Sequence, residues 1–123
     1  MQFNKETPIY IQIKDVVYNA ILSGEYCGGE RIPSIRDMAV SLEVNPNTVT
    51  RTYSILQEEG VIENQRGLGY FAVENAKDVV LNQMKDEFLT VEVPLFFSKM
   101  ERLGIPMEKI TTLYSEPKKW RKT

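Results

Sequence analysis

The stretch "NPNTVTR", residues 45–51, gathers amide, hydroxyl and guanidinium groups within two helical turns. Asn45, Asn47, Thr48, Thr50 and Arg51 can donate and accept hydrogen bonds, but none is suited to breaking a covalent bond unaided. Their chemistry is recognition. An Asn amide pairs bidentately with adenine, a Thr hydroxyl donates while its methyl meets thymine, and an arginine grips a phosphate or a guanine edge. Short polar side chains at a helix start also allow close backbone approach. The exposed first-turn amides and the helix dipole there favour an anion such as phosphate.

The rest of the composition narrows the field. The chain has 123 residues, no histidine and a single cysteine, Cys27. Without histidine the usual general base, the Ser-His and Cys-His nucleophile pairs and most zinc sites are gone. No phosphate-binding or dinucleotide loop is present, since "GLG" at 67–69 is far too short. The reading is a non-enzyme with no catalytic residues, no cofactor and no metal. The apolar runs are too short to span a bilayer, and "MQFNKETP" lacks the basic and apolar regions of a signal peptide. A reducing cytoplasm is the expected location, and Cys27 is expected to be a loop residue without a role.

Four elements must position the polar stretch. "TPIYIQIKDVVYNAILSG" predicts a first helix, with Thr7 as N-cap, Pro8 at the first position, and Ile9, Ile13, Val16, Ala20 and Ile21 at helical spacing. Gly24 stops it. "PSIRDMAVSL" predicts a short second helix, with Ser34 and Asp37 in a capping-box pattern and Ile35, Met38, Ala39 and Leu42 on one face. Asn45 and Pro46 open a third helix whose inner stripe is Val49, Tyr53 and Leu56. Asn47, Thr48, Thr50, Arg51 and Ser54 are left on its outer side. After Gly60, "VIENQ" and "YFAVE" read as two strands joined by "RGLG". Ile62, Phe71 and Val73 are expected to cover the helices. Helix, helix, tight turn, helix, hairpin is a winged helix-turn-helix.

Residues 75–123 read as a separate helical appendage. Leu81, Met84, Phe88, Val91 and Leu95 have a 3-4-3-4 spacing, a short coiled-coil-like dimerisation seam. Phe96, Met100 and Leu103 extend it, Gly104 ends it, and "PMEKITTLY" forms a last helix. Pro94 is expected to bend the long helix or divide it in two. The tail "EPKKWRKT" reads as charged and mobile. The fold class is therefore α+β, mainly helical: a winged helix-turn-helix domain over 1–74, then a small α-helical dimerisation region over 75–123.

The overall charge runs against nucleic-acid binding. Through Glu74 there are six Lys/Arg against ten Asp/Glu, a net of −4; from Asn75 there are nine against seven, a net of +2. Arg36, Arg51 and Arg66, however, belong to three elements that converge on one surface in a winged helix. There Arg36 and Arg51 would meet phosphates or guanine edges, and the wing from Arg66 to Gly69 would track the backbone or enter the minor groove. A local cluster suffices, because charges beyond about 10 Å are largely screened at ~0.1 M salt. A winged helix can instead dock proteins. That alternative requires an apolar outer face on the third helix.

"SGEYCGGERIPSIRDMAVSLEVNPNTVTRTYSILQEEGVIENQRGLGYFAVE" resembles the DNA-binding domain of the GntR family of bacterial transcription regulators. The matching pieces are Gly29 and Glu30, "PSIR" at 33–36, "NTV" at 47–49, "L-EEG" ending at Gly60, and "G-G-F" through Phe71. "NPNTV" and the short C-terminal part resemble the YtrA subfamily. The resemblance implies a homodimeric repressor on a partly palindromic operator in double-stranded DNA, often controlling transporter genes. It implies DNA contacts from Ser34 and Arg36 in "PSIR", from Asn45, Asn47, Thr48 and Thr50, and from the wing glycines Gly67 and Gly69. Many relatives carry arginine at the positions of Pro46 and Thr50, so base readout here is expected to lean on Asn and Thr. Arg51 lies one place beyond the usual arginine, which favours phosphate. A small-molecule effector, if one exists, is expected at the dimer interface.

Overall fold

In a computed structural model, residues 3–116 and 120–121 are described. The chain forms two compact units, Met1–Met84 and Lys85–Thr123.

The first unit begins with α1, Ile9–Ser23. Its N-cap is Pro8, with no side-chain cap, in place of the expected Thr7. The preceding arm explains the difference. Asn4 Oδ1 accepts from the amides of Glu6 and Thr7, and Gln12 reaches back to the Asn4 and Thr7 carbonyls at 2.9 and 2.7 Å. Thr7 is thus held by a turn. The buried face of α1 is Ile13, Val17, Tyr18, Ala20 and Ile21; Ile9 is exposed and Val16 only half-buried.

Helix α2 spans Ile35–Leu42 and buries Met38, Ala39 and Leu42. Glu43 then turns the chain in left-handed geometry at φ 57, the only described non-glycine residue with positive φ. Helix α3, Pro46–Glu58, buries Val49, Tyr53 and Leu56 as its spacing predicts, together with Thr52. A hydroxyl without partners would be costly there, and Thr52 Oγ1 has two: it lies 2.8 Å from the Tyr10 carbonyl and 3.2 Å from that of Thr48. Lys14 and Tyr18 on α1 both bind the Glu59 carboxylate at the end of α3.

The hairpin is β1, Ile62–Gln65, paired antiparallel with β2, Gly69–Ala72, in the register Ile62↔Ala72 and Glu63↔Phe71. That register puts Ala72 beside Ile62 on the buried face, whereas Phe71 shares the outer face with exposed Glu63. Of the residues expected as the cover, Ile62 is buried and half-buried Val73 packs against the core, while Phe71 does not join it; Ala72 and Val61 are buried as well. The link ahead of α2 adds a third short edge: Ile32 N–H donates to the Tyr70 carbonyl at 2.9 Å and Ala72 N–H to that of Glu30 at 2.9 Å. Tyr70 meets Tyr53 edge-on, centroids 4.9 Å apart. Helix α4, Ala76–Glu87, contributes buried Ala76 and Val80 to the same core, so the first unit extends past Glu74.

In the second unit the chain passes through a π-helical turn, Phe88–Glu92, into α5, Val93–Leu103. Val93 N–H donates to the Phe88 carbonyl, one residue further back than in an α-helix. Pro94 has no N–H to give and sits at the start of α5, directly after this widened turn. Glu87, Glu92 and Val93 keep helical dihedrals, so helical backbone continues through the π turn up to Pro94. The extra residue rotates the downstream side chains by about 100° relative to a straight α-helix. Val91 and Leu95, expected in line with Phe88, consequently fall off its face, and Phe96 comes onto it. Gly104 ends α5, and α6 spans Met107–Ser115. The tail over 116–123 lies partly outside the described residues; Trp120 stacks on Tyr114 at 5.2 Å and donates Nε1–H to its carbonyl.

Candidate nucleic-acid interface

The outer surface of α2, α3 and the hairpin is built from side chains whose internal bonds leave particular atoms unused. Ser34 caps α2 by accepting from Asp37 N–H at 3.0 Å, which keeps its own O–H as a donor. Asn45 caps α3 by accepting from Asn47 N–H at 2.8 Å. The oxygen is engaged, so Asn45 offers its NH₂ outward. Thr50 Oγ1 donates to the Pro46 carbonyl at 3.0 Å, leaving an acceptor and a methyl. Asn47 is exposed, with a whole amide to offer, and Thr48 is half-buried.

The first turn of α3 does not present free amides, contrary to the sequence expectation. Pro46 has none, Asn47 N–H is taken by the cap, and Thr48 N–H donates to the Asn45 carbonyl at 3.0 Å. Attraction for phosphate at this end rests on the helix dipole and on side chains.

Arg36, Arg51 and Arg66 are all exposed, on α2, α3 and the hairpin tip. The start of α2, where Arg36 sits, is tied to the middle of α3, because the Pro33 carbonyl accepts from Tyr53 O–H at 2.7 Å. Burial pushes the Tyr53 phenol far above its ordinary value, with Tyr26 and Tyr70 adding to the shift. Arg51 lies over the Tyr10 ring, Cζ 3.7 Å from the centroid. At the tip, Leu68 N–H donates to the Gln65 carbonyl at 2.8 Å, with Arg66, Gly67 and Leu68 forming the loop.

Gly69 has a structural duty beyond its place at the wing. Its φ is 116, and a methyl group there would stand 3.0 Å from Arg31 Nε. Arg31, exposed on the link strand, therefore lies across the hairpin. It is a fourth cation of this surface that sequence reasoning passes over, as it passes over Tyr10. The "GERIP" spacing holds no signal that residue 31 would meet residue 69.

Cys27 is exposed and its S–H donates to the Gly24 carbonyl at 3.1 Å, while the neighbouring Glu30 carboxylate raises its pKa, which disfavours the thiolate. Among the described residues no cluster of His, Cys, Asp or Glu could hold a metal, and no helix is long and apolar enough to cross a membrane. The outer face of α3 is Asn47, Thr50, Arg51 and Ser54, all exposed, which is not an apolar docking face.

Comparison with known proteins identifies the family. Residues 9–71 match the family described as bacterial regulatory proteins, gntR family. The chain is 36% identical over 109 residues to the uncharacterised HTH-type transcriptional regulator YhcF of Bacillus subtilis, covering 89% of this chain and 88% of that one. It is 34% identical to the HTH-type transcriptional repressor YtrA of the same organism, covering 85% and 79%. A solved structure of a GntR-family regulator from Bacteroides thetaiotaomicron superimposes with TM-score 0.75 at 42% identity, covering 87% of this chain and 93% of that one.

Proposed function

The chain belongs to the GntR family of bacterial transcription regulators, DNA-binding proteins and not enzymes, and we propose that it acts as a homodimeric repressor on a partly palindromic operator. One observation carries the reading of the surface: the exposed polar residues of α3 keep unused donors and acceptors of the kinds that base edges require. In this reading Asn45, Asn47, Thr48 and Thr50 read bases. Ser34, Arg36 and Arg51 hold phosphates, and Arg66, Gly67 and Gly69 run along the backbone or the minor groove.

Residues 75–123 serve dimerisation. Phe88, Phe96, Phe97, Met107 and Leu113 are exposed, more apolar surface than a monomeric unit of this size is expected to leave in water. The groove beside Phe88, Phe96, Phe97, Met107 and Ile110, about 550 Å³, lies in this region. It is the place for an effector if a second chain completes it. Leu81 and Met84 on α4 are exposed and belong to the proposed dimer seam, whereas Val91 and Leu95, also exposed, lie off the face of Phe88. The role of repressor leans on the YtrA relative, which carries it in its name. Control of transporter genes rests on the family resemblance alone, and a cytoplasmic location on the family and the single cysteine.

Selection on random duplexes tests the proposal. The expected product is a two-fold motif with half-sites about one helical turn apart, bound with a steep salt dependence. Equal, weak binding to the selected and the scrambled duplex would remove the operator reading.

A further inference from the structure

Arg51 is the cation of the recognition helix, yet its guanidinium rests on a residue of another helix. Cζ lies 3.7 Å from the centre of the Tyr10 ring in the first turn of α1. Several bonds fix that turn. Thr52 Oγ1, one residue from Arg51 and buried, lies 2.8 Å from the Tyr10 carbonyl and holds the start of α1 against α3. Gln12 anchors the arm before α1 through the Thr7 and Asn4 carbonyls, with Asn4 N–H donating back to Gln12 Oε1 at 3.0 Å.

We propose that Tyr10 is a positioning residue that sets Arg51 for its phosphate contact, so that α1 takes part in DNA binding without touching DNA through this ring. The proposal rests on Arg51 being a phosphate contact. A guanidinium stacked on an aromatic ring uses its π face and keeps its N–H groups in the open plane. The stack therefore narrows the orientations of a long, exposed side chain before DNA arrives, and leaves its donors free for two phosphate oxygens. A lysine has no planar face to stack and would not be held in this way.

The test uses the full chain and a mixed-sequence duplex of about 30 base pairs, because phosphate contacts act on any sequence. Affinity is measured across a series of salt concentrations, with helical content checked for each variant. Arg51→Ala should lower the salt slope by about 0.9 for each phosphate it no longer neutralises. Tyr10→Leu should weaken binding about three- to fivefold in the native background and leave the Arg51→Ala variant unchanged. Tyr10→Phe, which keeps the ring, should bind as the native chain does. Equal weakening by Tyr10→Leu in both backgrounds, or Tyr10→Phe as weak as Tyr10→Leu, would overturn the role of Tyr10. An unchanged salt slope in Arg51→Ala would remove the phosphate contact itself, and the proposal with it. Should Tyr10→Leu lose its helical signal, Arg51→Lys decides: it keeps the charge without the stack, and binding equal to native would overturn the proposal.

Discussion

The first unit gathers large apolar side chains into a closed core, and the second leaves most of its own on display. Tyr53, Leu56, Val49, Val17 and Ile13 are all fully buried in the first, around a polar group, Thr52, that has its hydrogen-bond partners. In the second, Met100 is buried, while Phe88, Leu89, Leu95, Phe96, Phe97, Leu103 and Met107 remain exposed. The first is a finished core. The second has the residues of a core without the surface to cover them. Burial of apolar area is the dominant favourable term in folding, so an unfinished core marks where association can supply stability.

The contrast can be broken most directly at its two centres. Leu56→Ala should cost about 2–5 kcal/mol in denaturant unfolding, because truncating a fully buried leucine leaves a cavity. Phe96→Ala should act on association: the stability lost should grow with protein concentration and vanish where the native chain is monomeric, and the proposed dimer should weaken about tenfold or more, some 1.4 kcal/mol, in sedimentation. Phe96→Ala losing as much stability as Leu56→Ala at every concentration would make the two units alike. Next in size, Tyr53→Phe should cost about 1 kcal/mol by removing the bond to Pro33. The folded phenol holds its proton more tightly than the unfolded one. Its contribution is therefore complete below the ordinary phenol value of ~10 and disappears as pH rises through the raised folded value. Tyr53→Phe should lack that part of the alkaline destabilisation in a pH series of melting curves. The smallest effect belongs to the turn. Glu43→Gly should stabilise the first unit by about 0.5–1 kcal/mol, since left-handed geometry costs a side-chain residue more than the added chain freedom of glycine. A drop in stability there would show that the Glu43 side chain outweighs its backbone.

Legibility in the sequence divides along a related line, between local and distant partners. Caps and stripes are local, so Ser34, Asn45, Pro46 and the buried face of α3 stand where spacing puts them. Thr7 yields its cap role to an arm closed by Gln12, eight residues from Asn4, a pairing that no local pattern announces. Hydrophobicity alone points Phe71 inward, but the hairpin register decides which face is buried, and a shift of one residue exchanges the faces. Pro94 signals an irregularity without its form, because a bend, a break and a π turn all relieve the same missing donor. The polar residues of the proposed interface are legible by type. Their free atoms are not, because these depend on which donor each side chain has already met. Arg31 and Tyr10 act across elements and leave no trace in spacing.

The close approaches at two glycines define how this domain can be cut and exchanged. A methyl at Gly28 would overlap the Glu74 carbonyl oxygen, and one at Gly69 would press on Arg31. The hairpin and the residues just after it are thereby keyed at both ends to the link that precedes α2. A chimaera that transplants residues 62–72 alone would set a foreign wing against Arg31, a surface shaped for the native one. The portable cassette runs from Gly28 to Glu74 and carries its own recognition helix with it.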